Sequence, residues 1–142
     1  MRSDKDYYDI VHKWFSDFGQ CCKSRNFTAA RKLVSPRVCS FGSKVDLVTN
    51  LSDLEKQQWG KIWPRIEGFT FILEKLIAKG HGELAWGITP WDSVGFDPEG
   101  YSFNRPGRAT VILQEFREHW LAIHTHFSLV PGTPYNTYGA KE

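Results

Sequence analysis

Apolar positions Tyr7, Val11, Trp14, Phe18 and Cys22 recur at steps of three and four through residues 4–23, with Asp, Lys, Ser and Gln between them. That spacing predicts an amphipathic helix. Residues 24–26 interrupt the pattern. Residues 27–34 read as a second, short helix ended by Ser35-Pro36, because a residue before proline is pushed out of helical geometry. Residues 38–41 predict a short strand. Ser52-Asp-Leu-Glu55 matches a capping box, in which the Ser oxygen and the Glu carboxylate each satisfy an orphan backbone donor, so a third helix is expected to run to about Trp63, where Pro64 stops it.

After Glu67 the period changes from helical to alternating. Residues 69–78 and 83–91 flank a turn at 79–82, Asp97-Pro-Glu-Gly100 has the residues of a type I turn, and residues 107–114 and 120–129 flank a turn at 115–118. No repeat or linker appears, so residues 1–132 read as one domain followed by a polar tail at 133–142. Three helices followed by a meandering antiparallel sheet predict an α+β architecture with the helices covering one face of the sheet.

Composition narrows the function. Eighteen Lys and Arg against 16 Asp and Glu give a net charge of +2, too small to be an electrostatic footprint for nucleic acid, so no nucleic-acid partner is expected. The apolar runs are far shorter than the roughly 20 residues that span a bilayer, and the polar start lacks a signal-like core, so no membrane partner and a cytoplasmic location are expected. Three cysteines, two of them adjacent, make no disulfide framework and no metal spacing, and read as small buried hydrophobes. The aromatic share of 15%, with six Trp, exceeds what a core this size requires and points to a lined pocket or a large interface.

His124 and His126 are two apart on a predicted strand, so they share a face, together with Trp120 and Ala122. If that face lines a pocket, the pair offers a general acid or base, or two ligands for a metal that would still want a third, so no metal is assigned. If not, the ladder orders the sheet or lines a dimer contact. Arg108 opens the preceding strand. An unbulged four-residue turn would put it opposite Thr125, whereas a one-residue bulge would put it beside His124 or His126, where it could bind an anion. Trp86 and Ile88 share a strand face, Trp59 and Trp63 lie four apart on one helix face, and Phe41 ends the short strand. Together they could wall a flat apolar ligand. Asp92 is the acid or base candidate left after Asp97 takes its turn role.

Ala85-Trp86, the Asp97-Pro-Glu-Gly100 turn, Arg105-Pro-Gly-Arg-Ala-Thr-Val-Ile-Leu113 and Trp120-Leu-Ala-Ile-His-Thr-His-Phe-Ser128 resemble the SnoaL-like branch of the nuclear transport factor 2 (NTF2) superfamily, also called ketosteroid-isomerase-like. The resemblance implies a cone: a strongly curved antiparallel sheet wrapped around three N-terminal helices, with a pocket at one end, usually in a homodimer. It leaves three function classes open. The first is a small cofactor-independent lyase, dehydratase or isomerase that moves a proton with His124 or His126 on an apolar, aromatic or polycyclic carbonyl compound. The second is a binding protein for the same kind of molecule, and the third an association module using the outer sheet face. The two His and the abundance of Trp favour the enzyme. Residues 38–43 carry no carboxylate where isomerase members place their base, so steroid isomerisation is not carried over.

Overall fold

Ser3 starts the first helix: its Oγ accepts the Asp6 N–H at 3.1 Å while the Asp6 carboxylate accepts the Ser3 N–H at 2.9 Å. A computed structural model describes residues 1–141. Helix α1 (Asp4–Ser24) buries Tyr7, Val11, Trp14, Phe15, Phe18, Cys21 and Cys22 along one side. It ends where Arg25 turns left-handed, at φ 58°, and the Arg25 side chain donates to the carbonyls of Trp63 and Ile66, tying this end to the next helical run. Helix α2 (Phe27–Arg31), capped by Asn26, is shorter than its pattern predicts. Strand β1 (Val34–Phe41) starts four residues earlier than expected, because Val34 already pairs with Ala122. Pro36, which has no N–H to donate, falls in the irregular stretch before pairing resumes at Cys39.

The next helical run changes winding three times: α3 (Leu51–Leu54), a π turn (Glu55–Trp59), α4 (Gly60–Ile62) and a 3₁₀ turn (Trp63–Arg65) that contains Pro64. Its cap is not the expected Ser52. Asn50 has the extended backbone of a cap and its Oδ1 accepts the Asp53 N–H at 2.8 Å, while the Glu55 carboxylate is held by Arg31.

Strands β2 (Glu67–Phe71), β3 (Ile77–His81), β4 (Leu84–Phe96), β5 (Ser102–Asn104), β6 (Gly107–Phe116) and β7 (His119–Leu129) complete one curved, unclosed seven-stranded sheet. The order is β1-β7-β6-β4-β2, with β3 and β5 also pairing with β4. All ladders are antiparallel except β1 with β7, which is parallel. The expected single strand over 69–78 is two strands separated by a short 3₁₀ turn (Leu73–Lys75). Pro90 is the physical reason. Its carbonyl accepts the Ile72 N–H at 2.9 Å, but it has no N–H to return, and the Thr89 hydroxyl donates to the Ile72 carbonyl instead, at 3.1 Å. Replacing buried Thr89 with Val is expected to cost about 0.5–1.5 kcal/mol in urea unfolding, the net worth of one hydrogen bond.

The helices cover only one face of the sheet. Ala85, Thr89, Trp91, Ala109, Val111, Leu113, Ala122 and Thr125 point into this covered side and are buried. The tail is ordered as far as it is described. Thr137 is buried, its Oγ1 accepting the Phe96 N–H and donating to the Arg65 carbonyl, while the final tail residue, Glu142, lies outside the described residues. Cys21 and Cys22 are buried as expected, but Cys39 is exposed on the outer face of β1.

Candidate functional site

Two places in this fold could carry function, the interior of the cone and the bare outer face of the sheet. Inside, tryptophans fill the space that the sequence suggested they would wall. Trp59 stacks on Trp63 with ring centroids 4.9 Å apart, Phe27 stacks on the other side of Trp63 at 5.1 Å, and Phe18 meets both tryptophans edge-on while stacking on Trp14 at 4.8 Å. What remains is a void of about 30 Å³ lined by Phe18, Phe41, Leu54, Gln58, Trp59, Trp63, Thr125 and Phe127. That is the space of about one water molecule, not of an aromatic ligand. Trp59 and Trp63 therefore meet around a space too small for the expected occupant, whereas the Phe41 ring lies on the outer face of β1 against His124 and His126.

His124 and His126 do share a face, but it is the outer one. The hairpin between β6 and β7 is tighter than predicted. Arg117 and Glu118 form a two-residue turn, both with positive φ, and Phe116 pairs with His119. A bulge then inserts Ile123 between the Leu113–Ala122 and Ile112–His124 pairs. One extra residue reverses which side chains face in. Trp120 and Ala122 stay on the covered side, where Trp120 meets Tyr7 edge-on, while Thr125 and Phe127 take over the inward positions beyond the bulge. Neither expected register for Arg108 forms: across the two-residue turn it sits opposite Ser128, donating to its hydroxyl at 3.2 Å, although the bulge does put it on the face of His124 and His126.

The two imidazoles are 6.5 Å apart, with the Phe41 ring 5.9 Å from His124 and 5.2 Å from His126. His124 Nδ1 lies 2.8 Å from the Cys39 carbonyl, which can only accept, so the proton of this bond sits on Nδ1. Among the described residues no carboxylate hydrogen-bonds either ring, and no three His, Cys, Asp or Glu side chains converge to hold a metal ion. Trp86, Ile88 and Asp92 belong to the same outer face, not to the cone, because the even-numbered positions of β4 point outward through residue 92. Proton transfer by the His pair on a molecule inside the cone therefore lacks the geometry it was given.

A polar group that the sequence reading passed over lies inside. Arg105 is 1% exposed, and its Nη2 donates to Ser43 Oγ at 3.0 Å, an oxygen that also accepts from Gln58 Nε2 at 2.9 Å. Gln58 Oε1 in turn accepts the Lys44 N–H at 2.7 Å. The Arg105 guanidinium lies 5.6 Å from the Trp91 ring centroid, and burial lowers its pKa to about 10. The signal was available. Positions 107, 109, 111 and 113 point inward, and the same alternation carried back past Pro106 turns Arg105 in and Arg108 out.

No protein-family model matches the sequence, and no curated protein does. Solved structures do match. An NTF2-like superfamily protein from Salmonella enterica superposes with a TM-score of 0.76 at 14% identity, covering 92% of this chain and 95% of its own. The chain has the NTF2-like fold. A Streptomyces avermitilis protein described as a "putative dehydratase from the NTF2-like family" aligns with a TM-score of 0.76 at 14% identity, covering 92% of this chain and all of its own (100%). The association domain of CaMKII from C. elegans aligns with a TM-score of 0.69 at 11% identity, covering 88% and 97%. NTF2-like structures thus include named enzymes and named association domains, and either class of role is open to this NTF2-like chain. Among its described residues no helix is long and apolar enough to cross a membrane.

Proposed function

We propose that this NTF2-like chain is an association module that pairs with a second copy of itself through the outer face of its sheet. One observation carries the reading: Phe41, Ile77, Leu84, Trp86 and Ile88 each keep 38–53% of their surface open on a face that no helix covers. They lie in register across the ladders, Ile77 opposite Ile88 and Trp86 opposite Ile112, with Phe41 at the far edge beside His126. Isolated exposed apolar residues are ordinary, but a contiguous set on a sheet face marks an interface.

A second copy suits this face better than an unrelated partner does. Five strands at about 4.8 Å spacing and some eight residues of length give a footprint of roughly 600 Å², which side-chain relief brings near the ~800 Å² per partner of a stable interface. The face also carries its own complement. Arg108 and Asp92 flank the apolar set, and among the described residues neither makes an ion pair. A twofold axis through the face can set each against the other's counterpart, as an isologous contact requires. In this arrangement His124 and His126 are interface residues, and the packed cone is the rigid support behind them. At the Trp59–Trp63 cluster, the small-molecule enzyme and binding readings have a void of only about 30 Å³, which is less than they need there.

Sedimentation equilibrium of the chain and of Trp86→Glu tests the proposal. The unaltered chain, 16.4 kDa per copy, is expected to sediment at twice that mass at micromolar concentration. A buried charge at a central Trp is expected to weaken pairing by roughly 100-fold or more, with the far-UV spectrum unchanged. A monomer at tens of micromolar, or a variant that pairs as well as its parent, rules the module out.

A further inference from the structure

We infer that the cleft between α1 and the start of β7 binds a neutral aromatic amide, which pairs with the open peptide edge of Trp120. The cleft has a volume of about 260 Å³ and is walled by Ile10 and Trp14 from α1, Leu33 ahead of β1, and Trp120 and Leu121 from β7. It shares no lining residue with the void beside Trp59 and Trp63. Its size falls just below the roughly 300–1,000 Å³ of ordinary ligand sites, which suits a molecule of one ring rather than a polycyclic one.

At this cleft the sheet stops one residue short. In an antiparallel ladder, opposed residues alternate between pairs that exchange both hydrogen bonds and pairs that exchange none. Glu115 donates its N–H to the Glu83 carbonyl at 2.9 Å, so its peptide groups face β4 and its pair with Trp120 is of the second kind. The N–H and C=O of Trp120 therefore both point away from β6. Those of Ala122 do the same, and there its N–H donates to the Leu33 carbonyl at 3.0 Å, because β1 has arrived and Val34 pairs with it. One step back, Trp120 meets no strand. The residues that would come next in line are still finishing α2, with the N–H groups of Lys32 and Leu33 turned onto the Ala29 and Ala30 carbonyls. Among the described residues no backbone group outside the sheet bonds to the Trp120 peptide.

An extended residue of this kind presents one donor and one acceptor side by side, and a group with an acceptor and a donor on one edge answers both. An amide is such a group, whereas a carboxylate has no donor. A peptide strand needs a longer edge than this one. The next residue of the same parity, Glu118, is already in the turn at φ 70°. The rim selects a neutral ligand, because its charges balance: Lys13 pairs with Asp17 at 2.7 Å, and Lys32 and Glu118 add one charge of each sign. The walls select an aromatic body, and they are set before anything binds. The Leu33 carbonyl accepts from Trp14 Nε1 at 2.8 Å as well as from Ala122, and Trp14 stacks on Phe18. Trp120 is held by the edge of Tyr7 and by the Arg2 guanidinium, 5.1 Å from its ring centroid. Such preorganisation lowers the entropic cost of binding.

The test reads the backbone ¹H–¹⁵N peak of Trp120 in chain labelled with ¹⁵N at tryptophan, assigned by its loss in Trp120→Phe, while benzamide, acetophenone or benzoate is added. A saturable downfield shift with benzamide is expected. Acetophenone keeps the ring and the acceptor but has a methyl group in place of the amide nitrogen, and it is expected to bind roughly three- to tenfold more weakly, the net effect of one hydrogen bond. Benzoate, charged and without a donor, is expected to bind more weakly still. Ile10→Phe, which fills the cleft from a half-buried position on α1, is expected to weaken benzamide binding by roughly tenfold or more while the indole peaks stay dispersed. If that variant does not fold, the comparison of benzamide with acetophenone on the unaltered chain decides alone. No saturable shift at Trp120, or equal affinity for benzamide and acetophenone, overturns the site. So does a Trp120 peak that moves with protein concentration alone in Trp86→Glu, because a second chain would then occupy the edge. The cleft lies on the helix side of the sheet, so benzamide titrated into Trp86→Glu reads this site whether or not the outer faces pair.

Discussion

Phe18→Ala is expected to lower the unfolding free energy by about 3–5 kcal/mol, among the largest losses for any single truncation in this chain. Phe18 is 2% exposed and is the common neighbour of Trp14, Trp59, Trp63 and Phe127. Removing its ring deprives four other aromatics of a packing partner at once. Those neighbours come from α1, the π turn, the 3₁₀ turn and β7, so no single element can close the gap by shifting. The new space would join the existing void of about 30 Å³. Guanidinium unfolding measures the loss, and a dry apolar cavity of this kind should regain stability when benzene or indole is added. A loss below about 1 kcal/mol would mean that the cluster collapses inward and the cone is softer than its packing implies.

Gly107→Ala is expected to cost about 3 kcal/mol, the upper part of the range for overpacking. A Cβ at this position would sit 2.0 Å from Trp91 Cζ2, 2.3 Å from Trp91 Cε2 and 2.5 Å from the Ser128 carbonyl oxygen. The oxygen is backbone in the neighbouring strand, and Trp91 is buried with Phe69 against its ring, so neither can retreat cheaply. Gly68→Ala is the useful comparison. Its φ of +62° is strained for alanine, but nothing lies within 4 Å of the added atom, and its expected cost is only about 1 kcal/mol. A thermal melt in which the two variants fall equally would show that β6 can slide away from Trp91. The hydrogen bonds around Arg105 would then be less rigidly held than their distances suggest.

Much of this architecture was legible in the chain. The step of three and four placed α1, and alternation placed β4, β6 and β7, because burial on one side writes those periods directly into the residues. What failed were features that depend on a single backbone atom. The split between β2 and β3 follows from one missing N–H, on Pro90, which lies in another strand. The start of α3 turned on which of two competent side chains, Asn50 or Ser52, reached a backbone donor first, and Arg31 settled it by occupying Glu55.

The candidate site was misread for a related reason. In residues 120–127 two alternating series are equally plausible, one through Trp120, Ala122, His124 and His126, the other through Leu121, Ile123, Thr125 and Phe127. The structure takes its inward residues from the first series before Ile123 and from the second after it. An apolar residue at the bulge suits either face, so no polarity contrast reveals the switch. Arg105 was missed although the alternation of β6 placed it inside, because an arginine next to Pro-Gly reads as loop.

The parallel pairing of β1 with β7 has a consequence for how the chain is made. Ser40 and Thr125, joined by a 2.7 Å hydrogen bond between their hydroxyls, are 85 residues apart. At ribosomal speeds of about 5–20 residues per second, that separation means β1 leaves the ribosome roughly 4–17 s before its partner strand exists. Until then its backbone donors and acceptors are an open strand edge, the kind of surface that recruits other chains. The closing step of folding must also bear the loop-closure entropy of bringing the first third of the chain to the last strand, which places this protein among the slower folders of its size. Sheet completion, and the outer face that extends across both strands, therefore wait for the final strand to be synthesised.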